Sequence, residues 1–513
     1  MALEHVLAID LGTGGPKAAL VGTDGSIAAH EFEPTPLVTL PGGGAEQDPG
    51  LWWTAISTAV RRLLGGGHVP VDDIVAVSVT AQWSGTVPVD ADGLHIAPAL
   101  TWMDSRGAPY VKEVVSGVIN LQGYEPRRLK SWIQRSGGVL SHSGKDPVGH
   151  ILFLKNERPD VYKAAHAFLE PCDYLNARIT GRQASSYDAI VAHWLTDNRD
   201  LKAVHFDQQL VDWCGLDRGQ LPELVPSASV IGEVLPAVAD DWGLAHGTKV
   251  VTATGDVHSA VVGSGALNDF EAHLYIGTSS WLSCHVPWKR TDLFNNQASL
   301  PSAIPGRYFL ANEHEVGGAA LLWLRDKARM GADLDELNVL AADSPAGSNG
   351  VIFTPWLNGE RTPVDDHTIR GGWNNVSLSS DRNDLVRSVF EGVAANSWWL
   401  LEVVEKFAKQ KLDGINFIGG GALSDLWCQM HADVLDRKIR RVDQPQHANT
   451  RGAAFVALLA LGKATPEDLN RSVKIAATFT PEPETQAAYA PLKAEFKNLY
   501  KAHKAIHRRL NSH

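Results

Sequence analysis

The stretch that decides the fold is residues 5–32, HVLAIDLGTGGPKAALVGTDGSIAAHEF. An apolar run at residues 6–9 ends at Asp10, and a glycine-rich turn then leads into a second strand-like run at residues 17–21. The dipeptide Asp24-Gly25 is a strong hairpin signal, and a third such run follows it. The stretch therefore predicts an antiparallel meander of three strands whose first turn is unusually rich in glycine.

The same pattern returns in the second half of the chain. Apolar runs at residues 274–276 and 281–286 are joined by the turn GTSS at residues 277–280, slightly more than half the chain after the first Gly-Thr turn. An internal duplication explains this spacing better than chance. A chain of 513 residues is also too long for one ordinary core. We therefore expect two related domains, residues 1–250 and residues 251–513.

The end of the chain favours the α/β class. A long helix is predicted over residues 381–407 from the apolar spacing, and a strand at residues 415–418 follows it. The next elements are a helix at about residues 424–435 and a strand at residues 439–442. Helices and strands that alternate in this way are typical of layered α/β domains.

Composition excludes several classes of function. The net charge of −12 argues against nucleic acid as the main partner. Cys172, Cys214, Cys284 and Cys428 are scattered and form no CxxC pair, which is typical of reduced cysteine in the cytosol. No apolar run approaches membrane-spanning length, and the start of the sequence lacks the pattern of a secretory signal. We therefore expect a cytoplasmic protein without a membrane partner.

The first glycine-rich turn is a candidate phosphate site. Gly12, Thr13 and Gly14 let the backbone approach a phosphate closely, and successive N–H groups in a tight turn can hold an anion. Asp10 comes where the strand ends, so its carboxylate can hold a metal ion directly or through water. The alternative is a plain hairpin turn in which Asp10 and Lys17 are solvated.

The second turn contains Gly277 and Thr278, and it is informative only in combination with the first turn. Alone it is most simply a turn. Two facing hairpins, one from each half, can hold the β- and γ-phosphates of a nucleotide from opposite sides. Such an arrangement suits a reaction that depends on positioning and charge neutralisation.

Asp256 is the candidate general base. It follows a predicted buried strand at residues 250–253 and precedes a predicted helix at residues 257–262. In the functional interpretation its carboxylate takes the proton from a sugar hydroxyl. In the structural alternative the side chain caps the helix, which is a frequent use of aspartate at this position.

A third glycine turn could hold a nucleoside. Residues 419–421 are all glycine and lie between a predicted strand and a predicted helix, where a flat base can lie against the backbone. Gly420, Gly421 and Ser424 are the candidates. A tight strand-to-helix connection, with Ser424 or Asp425 as the helix cap, is the alternative.

Two tryptophan-containing segments are candidates for a sugar site. Sugars require polar groups for their hydroxyls and an aromatic face for their C–H surface. Gln82 and Trp83 belong to one segment, and Asp104 and Arg106 belong to the other. The alternative is a pair of loops with core tryptophans, because the chain has 16 of them.

Taken together, these motifs resemble the FGGY family of carbohydrate kinases, and the resemblance extends over nearly the whole chain. It is carried by the motifs already described and by four further segments, which are EQDP at residues 46–49, GAA at 318–320, GERTP at 359–363 and TRGAA at 450–454. The segment at residues 359–363 is very specific to the xylulokinase-like branch. Where that branch has Met-His, this chain has Trp83-Ser84.

The resemblance implies two ribonuclease-H-like domains, as in the actin and hexokinase superfamily, with a cleft between them. It implies ATP and Mg²⁺ as cofactors, a small sugar as substrate and a homodimer as assembly. Gly318 is implied as a further nucleotide contact. The expected substrate is a ketose such as the pentulose xylulose, or a related polyol, with ribulose, erythrulose, glycerol and gluconate as alternatives. A sugar-independent actin-like ATPase on the same fold is the rival from another class.

Overall fold

The computed structural model describes residues 3–511. Most of the strands are short, and they are numbered here in chain order. They are β1 His5–Gly12, β2 Gly15–Gly22, β3 Ile27–Phe32, β4 Val38–Leu40, β5 Gly44–Gln47, β6 Ile74–Ala81, β7 Val87–Val89, β8 Ala99–Leu100, β9 Ala167–Leu169, β10 Ala184–Ser186, β11 Thr196–Asp197, β12 His205–Phe206, β13 Glu223–Val225, β14 Val230–Glu233, β15 Lys249–Val251, β16 Thr254–Gly255, β17 Ala272–Ile276, β18 Ser280–Val286, β19 Thr291–Asp292, β20 Gln297–Pro301, β21 Tyr308–Ala311, β22 Ile352–Thr354, β23 Gly372–Asn374, β24 Gly414–Ile418, β25 Lys438–Val442 and β26 Ile475–Phe479.

The helices are numbered in the same way. They are α1 Pro49–Gly65, α2 Ala108–Val115, α3 Pro126–Ser136, α4 Pro147–Glu157, α5 Pro159–Ala164, α6 Pro171–Thr180, α7 Gln208–Cys214, α8 Pro236–Trp242, α9 Asp256–Gly263, α10 Ala319–Asp326, α11 Leu334–Ala342, α12 Arg382–Ala408, α13 Asp425–Leu435, α14 Ala448–Ala460, α15 Pro466–Ser472 and α16 Pro483–Asn511. The predicted helix at residues 381–407 is confirmed as α12, which begins and ends one residue later than predicted. Asp381 is its N-cap, because its side chain accepts a hydrogen bond from the backbone N–H of Asp384 at 3.0 Å.

The first large sheet has the strand order β14-β15-β6-β1-β2-β3, and β16 also pairs with β6. Strands β1, β2 and β3 are antiparallel neighbours, so the predicted meander is confirmed. Strand β6 runs parallel to β1 on its other side, which buries β1 in the middle of the sheet. The end of β1, where Asp10 lies, is thereby fixed between two neighbouring strands.

The second large sheet repeats this arrangement. Its order is β19-β20-β21-β18-β17-β24-β25-β26, with β17 and β18 as an antiparallel hairpin and β24 parallel to β17. In both halves, then, a hairpin with a Gly-Thr turn lies beside a parallel strand. The expected α/β architecture with two related sheets is confirmed. The exact division at residue 250 stays a prediction, and β16, beyond it, still pairs with the first sheet.

Helices α9 and α14 cross at very short range near the middle of the molecule. A Cβ atom added at Gly263 would lie 1.8 Å from the carbonyl oxygen of Ala448, and one added at Gly452 would lie 1.8 Å from that of Ser259. Two glycines therefore allow the two backbones to touch. The residue that begins α9 is Asp256, so this crossing sets the position of the candidate base.

None of the helices within residues 3–511 combines the length and the apolar character that crossing a membrane requires.

Candidate active site

A cavity of about 520 Å³ lies between the two halves and is lined by residues of both. This volume lies in the range of small-molecule sites. Half of the predicted site residues line it, and these are Asp10, Gly12, Thr13, Gly14, Lys17, Trp83, Asp256 and Thr278. The other predicted residues lie behind the wall or beyond the cavity, and these are Gln82, Asp104, Arg106, Gly277, Gly318, Gly420, Gly421 and Ser424.

The first hairpin turn presents open backbone to the cavity. A Cβ atom added at Gly14 would meet nothing within 4 Å, whereas one added at Gly15 would lie 2.0 Å from the carbonyl oxygen of Glu33. Gly15 also has a φ of +137°, a conformation that side chains rarely adopt. Lys17 Nζ donates to the carbonyl oxygen of Gln446 at 2.9 Å, which joins this hairpin to the second half.

The Thr13 hydroxyl is held by a buried amide network. It donates to Gln82 Oε1 at 3.1 Å, and Gln82 Nε2 donates to Gln47 Oε1 at 2.7 Å. Gln47 Nε2 closes the ring by donating to the carbonyl oxygen of Thr13 at 2.9 Å. Gln82, which we predicted for the sugar site, therefore contacts Thr13 of the first hairpin, and only 2% of the residue is exposed. Contact of Gln82 with a sugar stays a prediction.

The second hairpin turn is supported from behind by the start of α10. Gly318 N–H donates to the carbonyl oxygen of Gly277 at 2.7 Å, and Gly317 N–H donates to that of Thr278 at 2.8 Å. A Cβ atom added at Gly318 would lie 2.6 Å from the carbonyl oxygen of Gly277. Glycine at residue 318 thus allows α10 to approach the turn, while Thr278 lines the cavity.

Asp10 and Asp256 bring two carboxyl groups to the same cavity. Burial raises the pKa of Asp10 above its ordinary value, against the attraction of Lys17. Burial, and then the negative charges of Asp10 and Glu313, raise the pKa of Asp256 to about 7. A carboxyl group with a raised pKa in a cleft is a candidate for acid–base chemistry.

Asp256 is not the cap of its helix. Gly255 occupies the N-cap position of α9, and Asp256 is the first helical residue. Its Oδ1 accepts a hydrogen bond from the backbone N–H of Val257 at 2.8 Å, which fixes the orientation of the carboxylate. The structural alternative considered for Asp256 is therefore wrong, and the carboxylate remains available to a ligand.

The Trp83-Ser84 segment lies beside Asp256. A Cβ atom added at Gly255 would lie 2.8 Å from Cγ of Trp83, so the indole packs directly on the residue before the candidate base. The indole Nε1 donates to the carbonyl oxygen of Ala189 at 2.8 Å, and the Ser84 hydroxyl donates to that of Lys145 at 3.2 Å. Both polar groups of this segment are thus bonded within the protein.

Buried Asp104 pairs with the partly buried Arg106, and neither residue lines the cavity. Arg106 Nη2 donates to Asp104 Oδ2 at 2.6 Å and to Glu46 Oε1 at 2.6 Å. Asp104 Oδ2 also accepts a hydrogen bond from the N–H of Ala45 at 2.9 Å. The residue of this segment that reaches the cavity is Trp102, whose Nε1 donates to the Thr13 hydroxyl at 3.0 Å.

The third glycine turn lies against the end of β17. A Cβ atom added at Gly421 would lie 2.8 Å from the side chain of Ile276, whereas one added at Gly420 would meet nothing within 4 Å. Ser424 is the N-cap of α13, because its hydroxyl accepts a hydrogen bond from the N–H of Trp427 at 3.1 Å. The capping alternative for Ser424 is confirmed, and its hydroxyl also donates to Asn338 Oδ1 at 2.5 Å. Contact of these residues with adenosine stays a prediction.

Sequence reasoning missed a charged cluster in the cavity wall. Arg361 Nη1 donates to Glu313 Oε2 at 2.5 Å, and Arg361 Nε donates to Glu315 Oε1 at 2.5 Å. Lys145 Nζ, from the first half, lies 3.7 Å from Glu315 Oε1. Only the segment at residues 359–363 signalled this cluster, because no motif that we recognised includes Lys145, Glu313 or Glu315.

Comparison with known proteins assigns the chain to a family. Models of the FGGY family of carbohydrate kinases match it over residues 5–263 for the N-terminal domain and 272–461 for the C-terminal domain. A xylulose kinase of Staphylococcus epidermidis is 26% identical over 515 residues, covering 99% of this chain and 98% of the relative.

Solved structures with the same fold include two sugar kinases. A gluconate kinase from Lactobacillus acidophilus superposes with a TM-score of 0.85 at 23% identity, covering 99% of this chain and 100% of that one. A ligand-bound xylulose kinase from the same species superposes with a TM-score of 0.84 at 24% identity, covering 98% of this chain and 99% of that one. Since the family models match both halves, around a cavity between two related sheets, the chain belongs to the FGGY family of carbohydrate kinases and is a sugar phosphotransferase that uses ATP.

Proposed function

We propose that this kinase transfers the γ-phosphoryl group of ATP in line to a hydroxyl of a ketose or polyol, with a pentulose such as xylulose as the first candidate. The observation that carries the proposal is that Asp256 shares one cavity with both Gly-Thr hairpins. Phosphoryl transfer depends mainly on positioning and on electrostatic stabilisation, which these elements can supply.

In this proposal the two hairpins hold the nucleotide phosphates. Gly12, Thr13 and Gly14 contribute backbone N–H groups from the first half, and Thr278 contributes its own from the second. Gly277, also predicted to hold phosphate, shapes the second turn, where its N–H donates to the carbonyl oxygen of Ser279 at 3.0 Å. Lys17 adds a positive charge on the wall of the same cavity. The adenosine would lie at the third glycine turn, near Gly420, Gly421 and Ser424, with Gly318 supporting the second hairpin.

Asp256 accepts the proton of the attacking hydroxyl in this mechanism. The new bond forms between that oxygen and the γ-phosphorus, the bond to the β-phosphate oxygen breaks, and ADP leaves. A base with a pKa near neutrality is well matched to this task, and the pKa of Asp256 is raised to about 7. The orientation of its carboxylate is set by the hydrogen bond from the Val257 N–H.

Magnesium fits the residues present at Asp10. No group of three or more His, Cys, Asp or Glu side chains that could hold a metal occurs within residues 3–511, so the protein alone builds no full cage. Mg²⁺ is normally held by one or two carboxylates together with phosphates and water. Asp10 would hold the ion, directly or through water, and the ion would neutralise phosphate charge.

A homodimer and a cytoplasmic location also stay predictions.

The reaction can be tested by measuring ADP release with ATP, Mg²⁺ and a panel of substrates. We expect ADP release to depend on the substrate and to be fastest with a pentulose, with xylulose, ribulose, erythrulose, glycerol and gluconate compared at equal concentrations. Equal ADP release with and without every substrate would instead identify a sugar-independent ATPase. A strong preference for another member of the panel would change the proposed substrate, but the proposed phosphoryl transfer would still hold.

Gln82 provides a second test, because its bonds are to the phosphate hairpin. Gln82→Leu should raise the KM for ATP by roughly tenfold, since the Thr13 hydroxyl loses a buried partner worth about 1 kcal/mol or more. The KM for the sugar should change much less. Initial-rate kinetics with each substrate varied in turn would separate the two constants, and a rise confined to the sugar KM would return Gln82 to the sugar site.

Trp53→Phe is a suitable control for that variant. Trp53 lies on α1, outside the cavity, and packs against Trp242 with ring centroids 5.4 Å apart. Its replacement should leave both KM values unchanged.

A further inference from the structure

Glu313 lines the cavity, yet none of the roles above uses it. It lies in the loop between β21 and α10, and Arg361 holds it together with its neighbour Glu315. The side chain of Glu313 keeps 27% of its surface exposed, whereas that of Glu315 keeps only 2%. Arg361 therefore anchors Glu313 at the cavity wall, with part of the Glu313 side chain exposed.

Glu313 faces the reaction centre. It lines the same cavity as Asp256 and as Ser279 of the second hairpin, and its charge contributes to the raised pKa of Asp256. A hydroxyl bound between Asp256 and Glu313 would find a carboxyl oxygen as acceptor on each side. Hydrogen bonds from hydroxyls to carboxylates are among the stronger ones, which suits recognition of a polyhydroxy ligand.

The charges of this cluster are balanced before any ligand binds. Arg361 is paired with both glutamates, and Lys145 lies 3.7 Å from Glu315 Oε1. Burial, and then the charge of Arg361, lower the pKa of Lys145. A carboxylate ligand would therefore meet no surplus of positive charge here, and it would approach the carboxylates of Glu313 and Asp256.

We propose that Glu313 is a specificity-determining residue, which accepts a hydrogen bond from a hydroxyl of the bound sugar and excludes sugar acids from the site. This role rests on the proposed kinase function, because it assumes that the sugar lies beside Asp256. Arg361 acts as the positioning residue that holds the Glu313 carboxylate in place.

The test measures sugar binding and turnover separately. Trp83, Trp102, Trp194 and Trp281 line the cavity, so quenching of tryptophan fluorescence reports binding without any reaction. Xylulose and glycerol serve as neutral probes and gluconate as the acidic probe. In the wild type, gluconate should bind more weakly than xylulose. Glu313→Gln should weaken xylulose binding by about tenfold and should raise the ratio of gluconate affinity to xylulose affinity by at least as much.

Two matched variants separate recognition from structural damage. Glu313→Asp keeps the charge, so the exclusion of gluconate should persist even if xylulose binds less tightly. Glu223→Gln changes a carboxylate that is also bound by an arginine, with Arg182 Nη2 donating to it at 2.7 Å, but outside the cavity. Glu223→Gln should leave both affinities unchanged, and thermal melting would show whether each variant is folded.

An unchanged affinity ratio in folded Glu313→Gln would overturn the inference, as would gluconate binding to the wild type more tightly than every neutral probe. Failure of the wild type to bind any neutral probe would overturn it as well. If neutral probes bind and the ratio shifts as expected, but no sugar-dependent ADP forms, the inference stands for binding and only the proposed kinase reaction is wrong.

Discussion

Asp256→Asn should lower kcat by about 100- to 10,000-fold, the range that a positioned general base contributes. Asparagine keeps the size of the side chain and can still accept the hydrogen bond from the Val257 N–H, but it cannot take a proton from the sugar. Binding of sugar and nucleotide should therefore be nearly normal. Steady-state kinetics, with sugar binding followed by tryptophan fluorescence, would measure the two effects independently.

Asp160→Asn is the matched control for this variant. Asp160 is also a carboxylate in the first turn of a helix, α5, but it is exposed and does not line the cavity. Its replacement should leave kcat unchanged. A near-normal kcat in Asp256→Asn would remove Asp256 from the mechanism, and a loss of sugar binding equal to the loss of rate would make it a binding residue instead.

Gly452→Ala should destabilise the protein by about 3 kcal/mol or more, at the upper end of the usual cost of overpacking. The added Cβ atom would lie 1.8 Å from the carbonyl oxygen of Ser259 and 2.9 Å from the backbone nitrogen of Gly263. Backbone atoms of a packed helix cannot move aside as a flexible side chain can. The two helices must therefore separate, and the midpoint of thermal or urea unfolding should fall accordingly.

Activity should fall together with stability in this variant. Helix α9 begins at Asp256, and Asn449 on α14 lines the same cavity as Asp10, so a wider crossing changes the cavity wall around both carboxylates. Gly263→Ala, whose Cβ atom would lie 1.8 Å from the carbonyl oxygen of Ala448, should have the same effect. Gly65→Ala is the control, because a Cβ atom added at this position on α1 would meet no other atom within 4 Å.

Gly65→Ala should be neutral or slightly stabilising, since alanine favours a helix over glycine by up to about 1 kcal/mol. Wild-type stability in Gly452→Ala would show that the helices can separate without cost, and that the close crossing does not contribute to the free energy of unfolding. A stable but inactive Gly452→Ala would limit the role of the crossing to positioning the carboxylates.

The parts of the site that sequence patterns predict are those built from consecutive residues. The two hairpins, the strand before Asp256 and the cap of α13 at Ser424 follow from apolar runs, glycine turns and capping residues close together in the chain. Such features depend on local backbone preferences and on the alternation of buried side chains, so a short window of sequence contains the needed information.

Residue types alone did not indicate the protein partners of polar side chains in irregular segments. Gln82 and Asp104 have residue types that suit a sugar, yet their side chains contact Thr13 and Arg106 within the protein. The direction of a side chain in a loop depends on which neighbours satisfy its polar atoms, and those neighbours come from other parts of the chain. Composition and spacing do not contain that information.

The amino-acid sequence by itself determined the family, the two related halves and the pair of Gly-Thr hairpins, because strand patterns and glycine turns are written in adjacent residues. Only the tertiary structure decided which groups meet in the cavity. Lys145, Glu313 and Arg361 are far apart in the chain, and they meet only where the two halves of the folded protein line one cavity. The energy of a buried charge depends on all of its neighbours at once, so the charge balance that we expect to select the sugar exists only in the folded protein.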